Sequence, residues 1–234
     1  MSHEYRLRLL EGFRLHDGGA EVRTPNSVRR IVAFLGLHGR VGRTELAGTL
    51  WPDVPDHNAH ANLRTALWRM NRLGTTPLVA GQETLALTTA VEVDVALFVE
   101  TARRVLHQDT PLDSGTLSAL TAGGDLLPGW YDDWVLFERE RLRQLRMHAL
   151  EALSARLSAA GRHAEAIEAA LGAVRLEPLR ESATRTLITA HLAENNVVEA
   201  VRQFEAFREL LINELGVRPT AELEWLLPAR GRVG

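Results

Sequence analysis

The sequence predicts a mainly α-helical protein in two parts: a short β-containing part at residues 1–90 and an all-helical part at 91–234. Three observations carry that prediction. The spacing of apolar residues changes near residue 90, from alternation and short segments to sustained helical periodicity. The charge changes sign at the same place: residues 1–90 hold 11 Arg against 8 Asp plus Glu, whereas residues 91–234 hold 16 Arg against 22 acids. In the second part Gly161, Pro178, Asn195-Asn196 and Gly216 fall between segments of helical length.

The elements follow in order. Arg6-Leu7-Arg8-Leu9 alternates polar and apolar, Phe13 and Leu15 come next, and Gly18-Gly19 supplies a turn, so the chain opens as short strands. Three helices are expected after them. The first covers Asn26 to His38, with Asn26 or Ser27 as N-cap and Gly39 beyond its end. The second covers Thr44 to Trp51 and is stopped by Pro52; the third opens on Asp56 as N-cap and closes at Gly74. Leu78-Val79-Ala80, a Gly81-Gln82-Glu83 turn and Thr84 to Leu87 then read as a hairpin. Strands, three helices and a hairpin, in that order, predict a winged helix-turn-helix with an N-terminal β-sheet and a C-terminal β-hairpin wing.

From Val93 onward the pattern is helical, with segments at 94–106, 115–122, 132–160, 163–174, 179–194, 197–215 and 220–227. Within them the sequence repeats at an offset of 34: Leu153 with Leu187, Glu165-Ala166 with Glu199-Ala200, Ile167 with Val201 and Leu176 with Leu210. That period is the one of tetratricopeptide helix pairs, in which small residues such as Ala166 and Ala200 let helices approach closely. The second part is therefore expected to be an all-α, tetratricopeptide-like domain.

Composition removes several kinds of chemistry. All 27 basic side chains are arginine and there is no cysteine. Lysine-dependent phosphate loops and Schiff bases are excluded, as are thiol nucleophiles, disulfides and thiolate metal sites. The opening Met1-Ser2-His3-Glu4-Tyr5 has no signal-peptide character, and the apolar run from Ile31 to Leu37 is too short to span a bilayer. A soluble, cytoplasmic chain with no membrane partner and no cofactor is expected. His57 and His60, three apart near Asp53 and Asp56, lack a third ligand and read as a solvated helix start. Asp132, Asp133, Glu138 and Glu140 open a helix, where acids complement the dipole. Nothing points to an enzyme.

The third helix points elsewhere. On a wheel of 100° per residue, Ala59, Leu63, Ala66, Leu67 and Met70 gather on one side. The other side carries Asn58, Asn62, Arg64, Thr65, Trp68, Arg69 and Arg72, with no acid among them. Arginine can bond guanine bidentately and asparagine adenine, so these residue types suit a major groove. The stretch from Arg23 to Gly74 is itself basic, with 8 Arg against 3 acids. Arg43 at the start of the second helix, with Gln82 and Thr84 in the hairpin, is a candidate for DNA-backbone contacts, which position without reading sequence. The alternative is a tetratricopeptide-type scaffold or adaptor that binds protein or small-molecule partners, which would have no use for such a face. Trp130, Tyr131, Trp134 and Phe137 read as cement between the two parts, or else as a lined pocket.

These residues also carry a resemblance. "LWPDVP" at Leu50–Pro55 with "AHANLRTALWRMNRLG" at Ala59–Gly74 resembles the winged-helix domain of the SARP-type (antibiotic regulatory protein) transcription activators of actinobacteria. "LLPGWYDDWVLFERERL" at Leu126–Leu142 is similar to the bacterial transcriptional activator domain that follows it in that family. So are "AGRHAEAIEAALGAVRLEPLRE" at Ala160–Glu181 and "ELGVRPTAEL" at Glu214–Leu223. The resemblance implies that Asn62, Arg64, Thr65, Trp68 and Arg69 face DNA and that the loop Pro52–His57 touches RNA polymerase. It further implies binding to promoter direct repeats as a homodimer, side by side on the DNA.

Overall fold

A computed structural model describes residues 4–73, 77–107 and 114–227. The chain divides into two compact units, Met1–Val99 with Gly123–Glu140, and Glu100–Ala122 with Arg141–Gly234. Among the described residues the structure is mainly helical with two small sheets.

In the first unit β1 (Tyr5–Arg8) pairs antiparallel with β2 (Arg14–Asp17), which pairs with β3 (Ala20–Glu21). Alternation places Tyr5 and Leu7 in the core and Arg6 and Arg8 in solvent. α1 (Asn26–His38) buries Val28, Ile31, Val32 and Leu35. At Gly36 a Cβ would stand 2.7 Å from Leu7 Cδ2, so a larger residue there would require the Leu7 side chain to shift. β4 (Val41–Gly42), α2 (Arg43–Leu50) and α3 (Asp56–Asn71) follow. Next come β5 (Leu78–Ala80) and β6 (Thr84–Leu87), a hairpin that β4 extends into a three-stranded sheet of order β4-β6-β5. β7 (Val91–Val93) then runs parallel to β1, with Leu7 opposite Val93.

Several local expectations are corrected. Prolines, not polar side chains, precede the first and third helices: Pro25 and Pro55 hold the cap positions without a side-chain hydrogen bond. Asn26 and Asp56 are thus first-turn residues, the latter complementing the helix dipole. α2 starts one residue earlier than expected, at Arg43. α3 ends at Asn71, and the expected stop at Gly74 lies outside the described residues.

Residues 123–140 are part of the first compact unit, and their start is held beside the residues that follow β1. Leu10 bridges Leu126, the Leu127 N–H donates to the Leu9 carbonyl at 2.9 Å, and the Glu11 N–H donates to Asp125 at 3.0 Å. Arg139 closes this loop by donating to the carbonyls of Leu126, Leu127 and Trp130 at 2.9, 2.8 and 3.1 Å. Asp94 fastens the same end of β1: its carboxylate accepts from the N–H groups of Leu9, Leu10 and Val95. Burial pushes that carboxyl up even though the three N–H donors pull it down.

Trp134 meets Phe34 of α1 edge-on at 5.2 Å and Trp130 at 6.3 Å, and Trp130 stacks on Phe13. The four aromatics expected to act together are therefore split. Trp130 and Trp134 belong to the packing of the first unit, whereas Tyr131 and Phe137 are exposed.

The chain continues as α4 (Asp94–Leu106), α5 (Ser114–Thr121), α6 (Asp133–Ala159), α7 (His163–Leu176), α8 (Glu181–Ala193), α9 (Val197–Leu215) and the short α10 (Ala221–Glu224). α7 packs on α8 and α8 on α9. Residues related by the offset of 34 share their burial: Leu153 and Leu187 are buried, as are Ala166 and Ala200, while Ile167, Val201, Leu176 and Leu210 are half-buried. Ile188, Phe204, Phe207 and Leu211 form a cluster completed by Leu223 of α10.

α10 is much shorter than the expected 220–227, and a carboxylate holds its start. Glu181 accepts from the Thr220 N–H at 2.9 Å, from the Thr220 hydroxyl, and from Arg185 at 3.0 Å. Burial pushes Glu181 up, but Thr220 and Arg185 outweigh it and hold the carboxyl below its ordinary value. Its stabilising contribution is then present above the unfolded pKa of ~4.3 and is lost as pH falls through the lowered folded value. Glu181→Ala at neutral pH is expected to speed amide exchange at Thr220, and acidification below pH ~4 is expected to do the same in the unsubstituted chain after correction for intrinsic rates. Unchanged protection in both would mean that Leu223 packing alone holds α10.

Candidate nucleic-acid interface

α3 carries the site. Ala59, Leu63, Ala66 and Met70 are buried at helical spacing, and α3 packs through them beside α1 and α2. Asn58, Asn62, Arg64, Thr65, Trp68, Arg69 and Arg72 are all exposed. Among the described residues Arg64, Arg69 and Arg72 enter no ion pair. Some guanidinium groups elsewhere are ion-paired, as in Arg30 with Asp132 and Arg208 with Glu205. An acid-free face with guanidinium groups outside any ion pair carries a local positive potential. The Thr65 hydroxyl differs from its neighbours: it donates to the Ala61 carbonyl at 2.9 Å, so it can accept from a partner but has no proton left to donate. The Arg72 guanidinium lies over the Trp68 ring, 4.9 Å from its centre.

A cleft of about 320 Å³ separates α3 from the hairpin, and Arg43, Arg64, Trp68, Asn71, Leu78, Ala80 and Leu85 line it. Of the residues expected to contact DNA, the structure thus brings Arg43, Arg64 and Trp68 together. Arg43 is tied to the hairpin tip: its N–H donates to the Glu83 carbonyl at 2.8 Å and its Nη2 to the Gly81 carbonyl at 3.3 Å. Gln82 stands exposed on that tip and Thr84 is half-buried below it. The Thr84 hydroxyl accepts from Arg40 Nη1 at 3.3 Å. Arg40, exposed between α1 and α2, extends the basic surface and was not among the expected residues. The basic balance from Arg23 to Gly74 includes it, but only the β4–β6 pairing places it beside Thr84.

The loop between α2 and α3 borders a separate cleft of about 730 Å³, with Trp51, Pro52, Asp53 and Val54 on one side and Tyr131 to Trp134 on the other. Among the described residues no group of three or more His, Asp or Glu is placed to hold a metal ion.

Comparison with known proteins decides the family. The bacterial transcriptional activator domain family matches residues 93–227. The chain belongs to this family of SARP-type transcription regulators. The SARP-type chain is 30% identical over 223 residues to the regulatory protein AfsR of Streptomyces griseus, a match covering 88% of this chain and 22% of AfsR. The AfsR of Streptomyces coelicolor is 29% identical over 211 residues, covering 85% of this chain and 21% of that protein. The chain therefore spans about a fifth of the length of these relatives. Among solved structures, Mycobacterium tuberculosis EmbR, captured with a low-affinity phosphopeptide, aligns with a TM-score of 0.73 at 21% identity. That alignment covers 96% of this SARP-type chain and 64% of EmbR, and it establishes a shared fold.

Proposed function

We propose that this chain is a sequence-specific DNA-binding transcription activator, with α3 as the helix that enters the major groove. In this reading α1 to α3 with β5 and β6 form a winged helix-turn-helix, and α7 to α9 a tetratricopeptide-like stack. The carrying observation is the exposed, acid-free face of α3, where unmatched Arg64 and Arg69 stand beside Asn58 and Asn62. Arg43, Gln82, Thr84 and Arg72 are assigned to the DNA backbone. The chain binds promoter direct repeats as a homodimer and recruits RNA polymerase through the segment Pro52–His57, the α2–α3 loop and the first two residues of α3, whose Pro52, Asp53 and Pro55 are exposed. No helix among the described residues is long and apolar enough to cross a membrane. A scaffold built on the helical unit would leave the α3 face without a use.

Fluorescence anisotropy on a set of unrelated duplexes tests the backbone assignment. Arg43→Ala is expected to weaken binding to all of them by the same factor and to lower the slope of log affinity against log salt by about one. A loss confined to one sequence would make Arg43 a base reader instead, and the absence of binding to any duplex would contradict the function.

A further inference from the structure

The indole on α3 lies more in solvent than in the core. Trp68 is 57% exposed, while the core side of the helix is already filled by Leu63, Ala66 and Met70. Four residues further on, Arg72 caps the C-terminal end of α3 and lays its guanidinium over the ring at 4.9 Å. Indole is the best of the aromatic platforms for a cation, and guanidinium, flat and weakly hydrated, stacks on it readily. A stacked guanidinium keeps its N–H donors in the plane of the group, where they can meet a phosphate in fork geometry. Arg64 and Arg69, on the same face, have no ring beneath them among the described residues.

We propose that Trp68 is a positioning residue that holds Arg72 in one orientation before DNA arrives, so that Arg72 grips a backbone phosphate while Trp68 itself reads no base. The proposal rests on the assignment of α3 to DNA. Its physical content is preorganisation: a long side chain fixed in advance loses less freedom on binding than a free one. No ring holds Arg64 or Arg69 among the described residues, whereas Arg72 is stacked in one place. The pair thus divides the face into a fixed anchor at the end of α3 and adaptable readers along its middle.

The test uses the full chain, a duplex that it binds, and the variants Trp68→Leu, Trp68→Phe, Arg72→Ala and Trp68→Leu/Arg72→Ala. In the free protein the Arg72 Nε–H resonance is expected to lie upfield because of the indole ring current and to move downfield in Trp68→Leu. In anisotropy titrations Trp68→Leu and Arg72→Ala are each expected to weaken binding about fivefold, because each removes the same preorganised phosphate contact. The double variant is expected to lose about fivefold as well, not about 25-fold, because both changes remove one unit. Each single variant lowers the salt slope by about one, base preference is unchanged, and Trp68→Phe recovers most of the affinity. Additive losses in the double variant, or altered base preference in Trp68→Leu, would show that Trp68 touches DNA directly and overturn the proposal. An unshifted Arg72 resonance would remove the stack itself, independently of DNA. If the unsubstituted chain binds no duplex while the ring-current shift is present, the assignment of α3 to DNA fails and the proposal falls with it, the stack remaining.

Discussion

Arg64→Ala is expected to weaken binding to a preferred duplex by about 1–3 kcal/mol and to flatten discrimination at one base pair. Arg64 is exposed, enters no ion pair among the described residues, and lines the cleft between α3 and the hairpin. Its truncation removes nothing from the core, so the stability of the chain should stay within about 0.5 kcal/mol of the original. The loss then belongs to recognition. Gel shifts against duplexes with single base-pair changes measure it: the unsubstituted chain should rank them, and the variant should fail to distinguish them at one position. A variant that keeps the original ranking and affinity would remove Arg64 from the reading surface.

The largest effect on stability is expected at Trp134. Its ring is 8% exposed and packs between Phe34 and Trp130, so Trp134→Ala should destabilise the first unit by about 3–5 kcal/mol in urea unfolding. Phe137, 78% exposed and three residues further along α6, should tolerate the same change within about 0.5 kcal/mol. The contrast checks whether residues 123–140 belong to the core of the first unit. A cost below about 1 kcal/mol at Trp134, or an equal cost at Phe137, would contradict that placement.

The difference between these two aromatics shows what the sequence could and could not reveal. Helix periodicity marked α1, α3 and α9 and identified the buried stripe of α3, because burial and 3.6-residue spacing are local properties. The offset of 34 likewise forecast matching burial at Ala166 and Ala200. Pairing between distant segments left no local trace. β7 beside β1, Leu10 opposite Leu126, and the Asp94 carboxylate on Leu9 and Leu10 all depend on contacts across 80 or more residues. For that reason spacing alone does not distinguish Trp134 from Phe137, nor does it show Leu126 and Leu127 beside Leu9 and Leu10. Arg43 and Arg40 illustrate the same limit within the candidate interface. Both were legible as charges, but the ties to Gly81 and Thr84 come from the closure of the β4–β6 pair. Arg72 and Trp68 are legible as an i, i+4 pair on one face, whereas the stacking depends on side-chain rotamers that spacing does not fix.

Selection of bound duplexes from a random pool tests the assignment of α3 most directly, since it assumes no operator. Enrichment of a sequence arranged as a direct repeat, lost when Arg64 and Asn62 are both replaced by alanine, is the expected result. A recovered pool as random as the starting one, or an enriched sequence that the double variant still selects, would contradict the claim that this helix reads DNA.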